Sequence, residues 1–263
     1  MALVNVSIVV IVLAAVYGLL IGSFVNAWAY RLANGKSIVR QKRSVCPRCG
    51  AQIRAYDNIP VLSWVLLRGR CRDCRQRIHW RYPVGETLTA VLFAAVAAHD
   101  GLGWMLAPHL VFAAALVLVS EVDLEEHIIP DIVVLPGAVI GLAMMIALQP
   151  HRWLELLGAG LGAALFLFVV GWIWERVIHA AAMGMGDVKL ALLMGFYLGF
   201  GVIPALFLGF VAGAVVGVVQ VALKKGSLRT AIPFGPFLAA GAMAALFVGQ
   251  PLIHWYLRFA LHR

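Results

Sequence analysis

The stretch Gly184-Met185-Gly186-Asp187-Val188-Lys189 places an acidic residue and a lysine in a glycine-rich turn between two apolar runs. The run before it covers residues 156–174, and the run after it begins at Leu190. Such runs predict membrane helices, where an aspartate is costly unless it is solvated, paired or used in function. The two glycines give the turn a backbone freedom that other residues lack. The stretch therefore predicts a functional carboxylate at a membrane boundary.

A second aspartate, Asp123, also ends an apolar run, in the segment Ser120-Glu121-Val122-Asp123. Two carboxylates that are brought together cannot both stay ionised, so the pair shares one proton. Aspartic peptidases use this arrangement: one carboxylate activates water and the other protonates the carbonyl oxygen. Each aspartate could instead cap a membrane helix. From Asp123 and Asp187 alone, capping and catalysis both stay open.

The composition is that of a polytopic membrane protein. Of the 263 residues, 63% are hydrophobic and only 13% are charged, whereas soluble domains are about half apolar and a quarter charged. Residues 31–82 hold 13 of the 21 lysines and arginines and only two acidic residues. Such a basic block can bind nucleic acid. Beside membrane helices it is more typical of a cytoplasmic face, so we expect membrane lipids as partners and no nucleic acid.

Eight apolar segments predict an all-α protein with about eight transmembrane helices. The segment after Asp187 is short for a membrane span, which needs about 20 residues. Glycines recur on the later segments, and small residues let membrane helices pack closely. The predicted segments lie at 6–30, 87–98, 105–119, 128–148, 156–174, 187–199, 202–223 and 233–258. The glycines are Gly158, Gly160, Gly162, Gly209, Gly213 and Gly217.

The distribution of charge predicts the orientation of these helices. With both termini outside the cytoplasm, the cytoplasmic segments hold 18 lysines and arginines and the outer segments hold three. This asymmetry follows the positive-inside rule. It also places Asp123 and Asp187 on the same side, each at the cytoplasmic end of its helix.

All four cysteines of the chain form two C-x-x-C pairs, Cys46-Pro47-Arg48-Cys49 and Cys71-Arg72-Asp73-Cys74. Four thiolates predict a closed tetrahedral zinc site, which is structural because no position is left for a reacting water. Two disulfides are the alternative, although a reducing cytoplasm disfavours them. We therefore predict a small zinc-ribbon-like module at 33–82, between a first helix at 1–32 and a membrane core at 83–263.

With these residues assigned, the sequence resembles the type IV prepilin peptidases, the bifunctional leader peptidase/N-methyltransferases of type IV pilus and type II secretion systems. The resemblance covers nearly the whole chain, and its motifs occur in the family's order. Two positions depart from the pattern: Ala33 stands where the family has proline, and Gly85 where it has valine. The motifs are Gly22-Ser23-Phe24-Val25-Asn26 with Tyr30-Arg31-Leu32, the two cysteine pairs, Arg81-Tyr82-Pro83 with Glu86, Asp123 with Ile129-Pro130-Asp131, Gly184–Lys189, and Pro233-Phe234-Gly235-Pro236.

The resemblance implies an aspartic endopeptidase of the bacterial inner membrane. Such an enzyme removes the basic leader of a prepilin or pseudopilin after a glycine, on the cytoplasmic side, and N-methylates the new N-terminal residue with S-adenosylmethionine. Catalysis is carried over to Asp123 and Asp187, with Gly184, Gly186 and Lys189 shaping the loop, and the four cysteines match the family's zinc module. The chain has no glycine-rich nucleotide loop of the usual kind, so the residues that bind the methyl donor stay unknown.

Three further acids, Glu125, Glu126 and Asp131, lie close to Asp123 in the sequence. We expect them at the inner membrane surface, where Asp131 can cap the helix that follows Pro130. The basic module should repel a basic leader. We therefore expect anionic lipid to bind much of its charge, which leaves the acidic stretch 121–126 to face the leader.

Other functions stay open at this point. Another intramembrane aspartyl protease, of the presenilin or signal-peptide-peptidase kind, would share the G-x-G-D motif but not the cysteine module. A transporter could couple its intramembrane acids to ions. A non-enzymatic assembly platform could dock a partner on its zinc module, and it would tolerate the loss of either aspartate.

Overall fold

The computed structural model describes residues 2–35, 44–178, 184–223 and 232–261. Within these ranges the chain is helical, with two isolated β-bridges and no β-strand. The predicted all-α class is therefore confirmed. The helices are α1 (Ala2–Ala33), α2 (Leu62–Leu66), α3 (Arg81–Asp100), α4 (Leu106–Glu126), α5 (Asp131–Leu148), α6 (Trp153–Ile178), α7 (Met185–Leu198), α8 (Val202–Ala222) and α9 (Gly235–Leu261).

Each of the eight segments predicted to span a membrane forms a helix. These helices are α1 and α3 to α9, and the short α2 belongs to the cysteine module. Among the described residues, five stretches are long and apolar enough to cross a membrane. Helices α3 and α9 are not among them, and α7 and α8 form a single stretch. The count of eight spans therefore stays a prediction. The five stretches are Ser7–Ala33, Leu106–Glu126, Asp131–Leu148, Pro150–Val177 and Met185–Ala222.

The chain forms two compact units, Met1–Val122 and Asp123–Arg263. The first unit holds α1, the cysteine module, α3 and most of α4. The second unit holds the end of α4 and helices α5 to α9. The predicted boundaries at 32 and 82 fall inside the first unit, and that division of the chain stays a prediction.

In the first unit, α1 and α3 pack with their backbones in close contact. A Cβ at Gly18 would lie 2.7 Å from the Cα of Ala90, and a Cβ at Gly22 would lie 2.8 Å from the Cα of Glu86. Small residues four positions apart commonly permit such packing between membrane helices. The contact at Gly22 fixes Glu86 of α3 against α1.

The cysteine module contains two short turns, one around each cysteine pair. An antiparallel β-bridge closes each turn, and α2 lies between them. Arg72 of the second turn binds both carboxylate oxygens of Asp57, with Nε 2.8 Å from Oδ2 and Nη2 2.6 Å from Oδ1. Bidentate arginine–carboxylate pairs have a fixed geometry, so this pair connects the second turn to the segment before α2.

In the second unit, the short helix α7 packs against α5 and α6. Its 14 residues span about 21 Å at 1.5 Å per residue, less than the roughly 30 Å of a hydrocarbon core. Nine of these residues are buried, so protein surrounds most of the helix. Because lipid is not its main neighbour, α7 does not have to match the thickness of the membrane.

The recurring glycines only partly serve helix packing. A Cβ at Gly160 would overlap the side chain of Phe196 on α7. A Cβ at Gly209 would lie 3.1 Å from the backbone of α9. A Cβ at Gly158 or Gly162 would meet no other element of the described chain within 4 Å. The predicted role in close packing is therefore wrong for Gly158 and Gly162.

Candidate active site

Asp123 and Asp187 are buried carboxylates of the second unit. Their exposed fractions are 4% and 9%, and they lie near enough for their charges to interact. Asp123 belongs to the last turn of α4, and Asp187 to the first turn of α7. The structure thus brings together two aspartates that are 64 positions apart in the sequence.

Capping does not account for Asp123. Gly184 occupies the N-cap position of α7, and Asp187 lies inside the first turn, where the helix dipole favours a negative charge. Asp123 lies near the C-terminus of α4, where the dipole disfavours a negative charge. Its position and its burial therefore call for another explanation.

The backbone N–H of Gly235 donates a hydrogen bond to Oδ2 of Asp123, with a nitrogen–oxygen distance of 2.8 Å. Gly235 is the first residue of α9, and a Cβ there would lie 2.8 Å from the same oxygen. In the sequence, Pro233-Phe234-Gly235-Pro236 is a motif at the start of the last predicted helix, without a predicted role at the site. The available signal was a glycine followed by a proline suited to the start of a helix.

The turn before α7 holds Asp187 through its backbone and its glycines. The N–H of Asp187 donates to the carbonyl oxygen of Gly184 at 3.0 Å. A Cβ at Gly186 would lie 2.7 Å from the Cβ of Ile129. Only glycine at position 186 therefore lets the turn pack against the segment that precedes α5.

Lys189 connects α7 to the first residue of α5. Its Nζ donates to both carboxylate oxygens of Asp131, at 2.8 and 2.7 Å. Exposed ion pairs stabilise a fold by at most about 1 kcal/mol, so the main effect of this pair is to position the start of α7 against α5.

Pro130 occupies the N-cap position of α5, without a side-chain cap. The prediction that Asp131 caps this helix is wrong, because its carboxylate is bound to Lys189.

The acidic stretch around Asp123 is divided between surface and interior. Glu125 and Glu126 are exposed, whereas Oε1 of Glu121 is buried within the first unit. A Cβ at Gly85 would overlap that oxygen. Gly85, which departs from the family pattern, therefore makes room for the carboxylate of Glu121. Glu125 and Glu126 are the exposed acids of the stretch 121–126.

The four cysteines form one cluster in the first unit. Their Sγ atoms lie within 4.8 Å of one another, and Sγ of Cys46 is 3.8 Å from Sγ of Cys74. A tetrahedral zinc ion with Zn–S bonds of about 2.3 Å separates its sulfurs by about 3.8 Å. All four residues are free thiols, so the alternative of two disulfides is not found. The cluster fits a closed four-coordinate metal site.

The turn around the first cysteine pair favours a thiolate. Burial raises the pKa of the Cys46 thiol, but hydrogen bonds from the backbone N–H groups of Cys49 and Arg48 outweigh it, and the pKa falls to about 7. Metal binds the thiolate form of cysteine. The local backbone therefore prepares Cys46 as a ligand.

Comparison with known proteins identifies the family. The bacterial peptidase A24 N-terminal domain matches residues 16–99, and the type IV leader peptidase family matches residues 110–218. The prepilin leader peptidase/N-methyltransferase of Stutzerimonas stutzeri is 35% identical over an alignment of 275 positions, which covers 94% of this chain and 93% of that protein. The chain belongs to the type IV leader peptidase family. A second family member, the prepilin leader peptidase/N-methyltransferase of Pseudomonas putida, is 37% identical and covers 92% of both chains.

The match to the type IV leader peptidase family, at residues 110–218, contains both buried aspartates. The match to the A24 N-terminal domain, at residues 16–99, contains the cysteine cluster. Gly235 lies beyond the matched residues, although its N–H binds Asp123. No solved structure matches this chain.

Replacing Cys74 by serine should abolish metal binding, because three thiolates and a hydroxyl form a much weaker zinc site. Metal analysis of the purified protein should give about one zinc ion per chain for the wild type and nearly none for Cys74→Ser. Structural zinc contributes about 10–16 kcal/mol in zinc-finger peptides, so the module should also become sensitive to proteases. Asp123→Asn, in the other unit, serves as the control and should retain its metal. A wild type without metal under reducing conditions would contradict the assignment.

Proposed function

We propose that this protein is a prepilin peptidase with N-methyltransferase activity, which cleaves the basic leader of a type IV prepilin or pseudopilin after a glycine. The observation that carries the proposal is the pair of buried carboxylates, Asp123 and Asp187, in a member of the type IV leader peptidase family. The relatives named as prepilin leader peptidase/N-methyltransferases support the substrate class and the second activity. Their names favour this function over a transporter or an assembly platform.

In the proposed hydrolysis, Asp123 and Asp187 share one proton before the reaction. The ionised carboxylate takes a proton from water as the water oxygen attacks the scissile carbonyl carbon, and the protonated carboxyl gives its proton to the carbonyl oxygen. When the tetrahedral intermediate collapses, the carbon–nitrogen bond breaks and the amine leaves with a proton from the dyad. The products are the leader, ending in a glycine carboxylate, and the new N-terminus of the pilin.

The surroundings of the two aspartates suit this chemistry. The Gly235 N–H that binds Oδ2 of Asp123 fixes the orientation of one carboxylate and stabilises its ionised form. The ion pair between Lys189 and Asp131 holds the start of α7, and so the carboxylate of Asp187, against α5. These contacts support a proton donor and a proton acceptor with fixed positions.

The membrane explains why the carboxylates lie at helix ends. A prepilin has an apolar helix preceded by a short basic leader, so its scissile bond lies at the cytoplasmic edge of the bilayer. We propose that α4 ends and α7 begins at that edge, with the basic segment 31–82 in the cytoplasm and both termini outside. The excess of lysine and arginine in the proposed cytoplasmic segments supports this orientation.

Zinc and S-adenosylmethionine are the proposed metal and methyl donor. The spacing of the four sulfurs fits zinc, which would hold the module together without taking part in hydrolysis. S-adenosylmethionine, when bound, would supply the methyl group, and the free amine of the new N-terminus would accept it and lose a proton. This chain must therefore hold the donor and accept that amine as a free base.

Asp123→Asn and Asp187→Asn should each lose prepilin cleavage, because an amide can neither accept nor donate the proton that the mechanism transfers. We expect the rate to fall by about 10²–10⁴-fold or more, the usual contribution of general acid–base catalysis. The measurement is cleavage of a prepilin by the purified protein in detergent, with the product mass read by mass spectrometry. In the wild type, the product should gain one methyl group when S-adenosylmethionine is added.

The matched control for these variants is Glu175→Gln, which neutralises an exposed carboxylate of α6 and should cleave like the wild type. Full cleavage by either aspartate variant would contradict the dyad and favour a platform without peptidase activity. A wild type that is folded and metal-loaded but does not cleave would contradict the proposed function itself.

Gly235→Ala should lower the rate of cleavage without abolishing folding. The added Cβ would lie 2.8 Å from Oδ2 of Asp123, so the carboxylate or the start of α9 must shift, and a displaced catalytic group costs up to roughly 100-fold. The control is Gly158→Ala, the same substitution at a helix position where the new Cβ would meet no other element of the described chain within 4 Å. Equal rates for the two variants would show that the Gly235 contact does not orient the site.

Glu125 and Glu126 are the exposed acids of the stretch 121–126, which we propose faces the basic leader. Replacing both with glutamine should raise KM for prepilin several-fold and leave kcat nearly unchanged, because exposed charges act mainly on association. The rise in KM should shrink at high ionic strength, since salt screens exposed charges. A KM equal to that of the wild type at low salt would contradict this role.

A further inference from the structure

A cavity of about 400 Å³ lies within the first unit. It is bounded by the last turns of α1, by the cysteine module and by the start of α3. Clefts that bind small organic ligands measure about 300–1,000 Å³, so the cavity has the size of a cofactor site. Both aspartates of the proposed dyad belong to the other unit. Its walls include Asn26, Tyr30, Arg31, Trp64, Tyr82 and Glu86.

Arg31 brings a buried positive charge to this cavity. The residue is only 9% exposed, and among the described ranges of the chain it has no hydrogen-bond or ion-pair partner. A buried charge without a partner is costly. An anionic group of a ligand in the cavity would supply the missing partner, and a carboxylate suits the planar guanidinium best.

Glu86 brings a buried carboxyl group to the same cavity. It is also 9% exposed, and its Oε2 accepts a hydrogen bond from the backbone N–H of Val61 at 2.6 Å. Helix α3 supplies Glu86 and α1 supplies Arg31, so two packed helices fix both charges. The cavity therefore suits a ligand that carries a carboxylate and a cation.

Aromatic side chains complete the walls. Tyr30, Trp64 and Tyr82 line the cavity, and the indole N–H of Trp64 donates to the carbonyl oxygen of Ile78 at 3.3 Å. Aromatic rings bind nucleobases by stacking and attract cations. A ligand with an aromatic base, a cationic centre and a carboxylate matches these walls in all three respects.

We propose that this cavity binds the methyl donor, S-adenosylmethionine, with its carboxylate held by Arg31 and its cationic part attracted by Glu86. Its adenine lies among the aromatic rings of Tyr30, Trp64 and Tyr82. The inference rests on the proposed N-methyltransferase function, because only that activity needs the donor. It assigns to the A24 N-terminal domain a binding role for which no nucleotide-binding loop is present in the sequence.

The test of Arg31 compares two ligands that differ at the amino-acid end. S-adenosylhomocysteine has the carboxylate, and 5′-methylthioadenosine, the corresponding nucleoside thioether, lacks it. Isothermal titration calorimetry on the full-length protein in detergent should show that Arg31→Gln weakens S-adenosylhomocysteine binding roughly tenfold or more, as expected for a lost charge-assisted hydrogen bond. The affinity for 5′-methylthioadenosine should not change. Arg70→Gln removes the same charge from an exposed residue of the module outside the cavity, and it should bind both ligands like the wild type.

A second test fills the cavity with a larger side chain. Ala27 lines the cavity on α1, so Ala27→Phe should weaken both ligands by tenfold or more. Val16→Phe adds bulk to the same helix at a side chain that is 51% exposed and outside the cavity, and it should leave both affinities unchanged. Zinc content and thermal unfolding show whether each variant has kept its fold.

Wild-type affinity for S-adenosylhomocysteine in both Arg31→Gln and Ala27→Phe would overturn the proposal. The proposed function would still stand if the wild type methylates its cleaved product. A wild type that cleaves prepilin but neither binds the ligands nor methylates would contradict the methyltransferase function, and the inference with it. If Ala27→Phe raised KM for cleavage and left ligand binding intact, the cavity would belong to the peptide substrate, which also overturns the proposal.

Discussion

Two carboxylates held together in a buried site form the constraint on which the second unit depends. Burying one charge is costly and burying two like charges is more so, so the surrounding chain must hold the pair in place. The N–H of Gly235 binds Asp123, Gly186 lets the turn before Asp187 pack against Ile129, and protein surrounds most of α7. Three motifs that are far apart in the sequence thereby serve one pair of side chains.

In the first unit, the close packing of two helices has the corresponding role. Close packing of α1 on α3 at Gly18 and Gly22 lets the two helices bring Arg31 and Glu86 to one cavity beside the cysteine module. A metal in that module would fix the remaining wall. The two proposed chemistries thus use different units of the chain, with hydrolysis on the second and donor binding on the first, and each can be disrupted by substitutions in its own unit.

The sequence predicted the helices and the residues of the site better than their contacts. Apolar runs and C-x-x-C spacing identify helices and cysteine ligands because those signals are local. The bond from Gly235 to Asp123 and the fit of Gly85 around Glu121 join distant segments, and no local pattern reports them. The prediction that Asp131 caps α5 was wrong for the same reason, because its partner Lys189 lies 58 positions away in the sequence.

The central claim is that Asp123 and Asp187 act as one catalytic unit. The most direct test is the single-turnover rate of prepilin cleavage in Asp123→Asn, Asp187→Asn and the double variant, each shown to be folded and metal-loaded. Because residues that act as a unit show strongly non-additive losses, the double variant should be no slower than the slower single variant. If the two losses instead multiply in the double variant, each aspartate acts independently and the shared-proton account is contradicted.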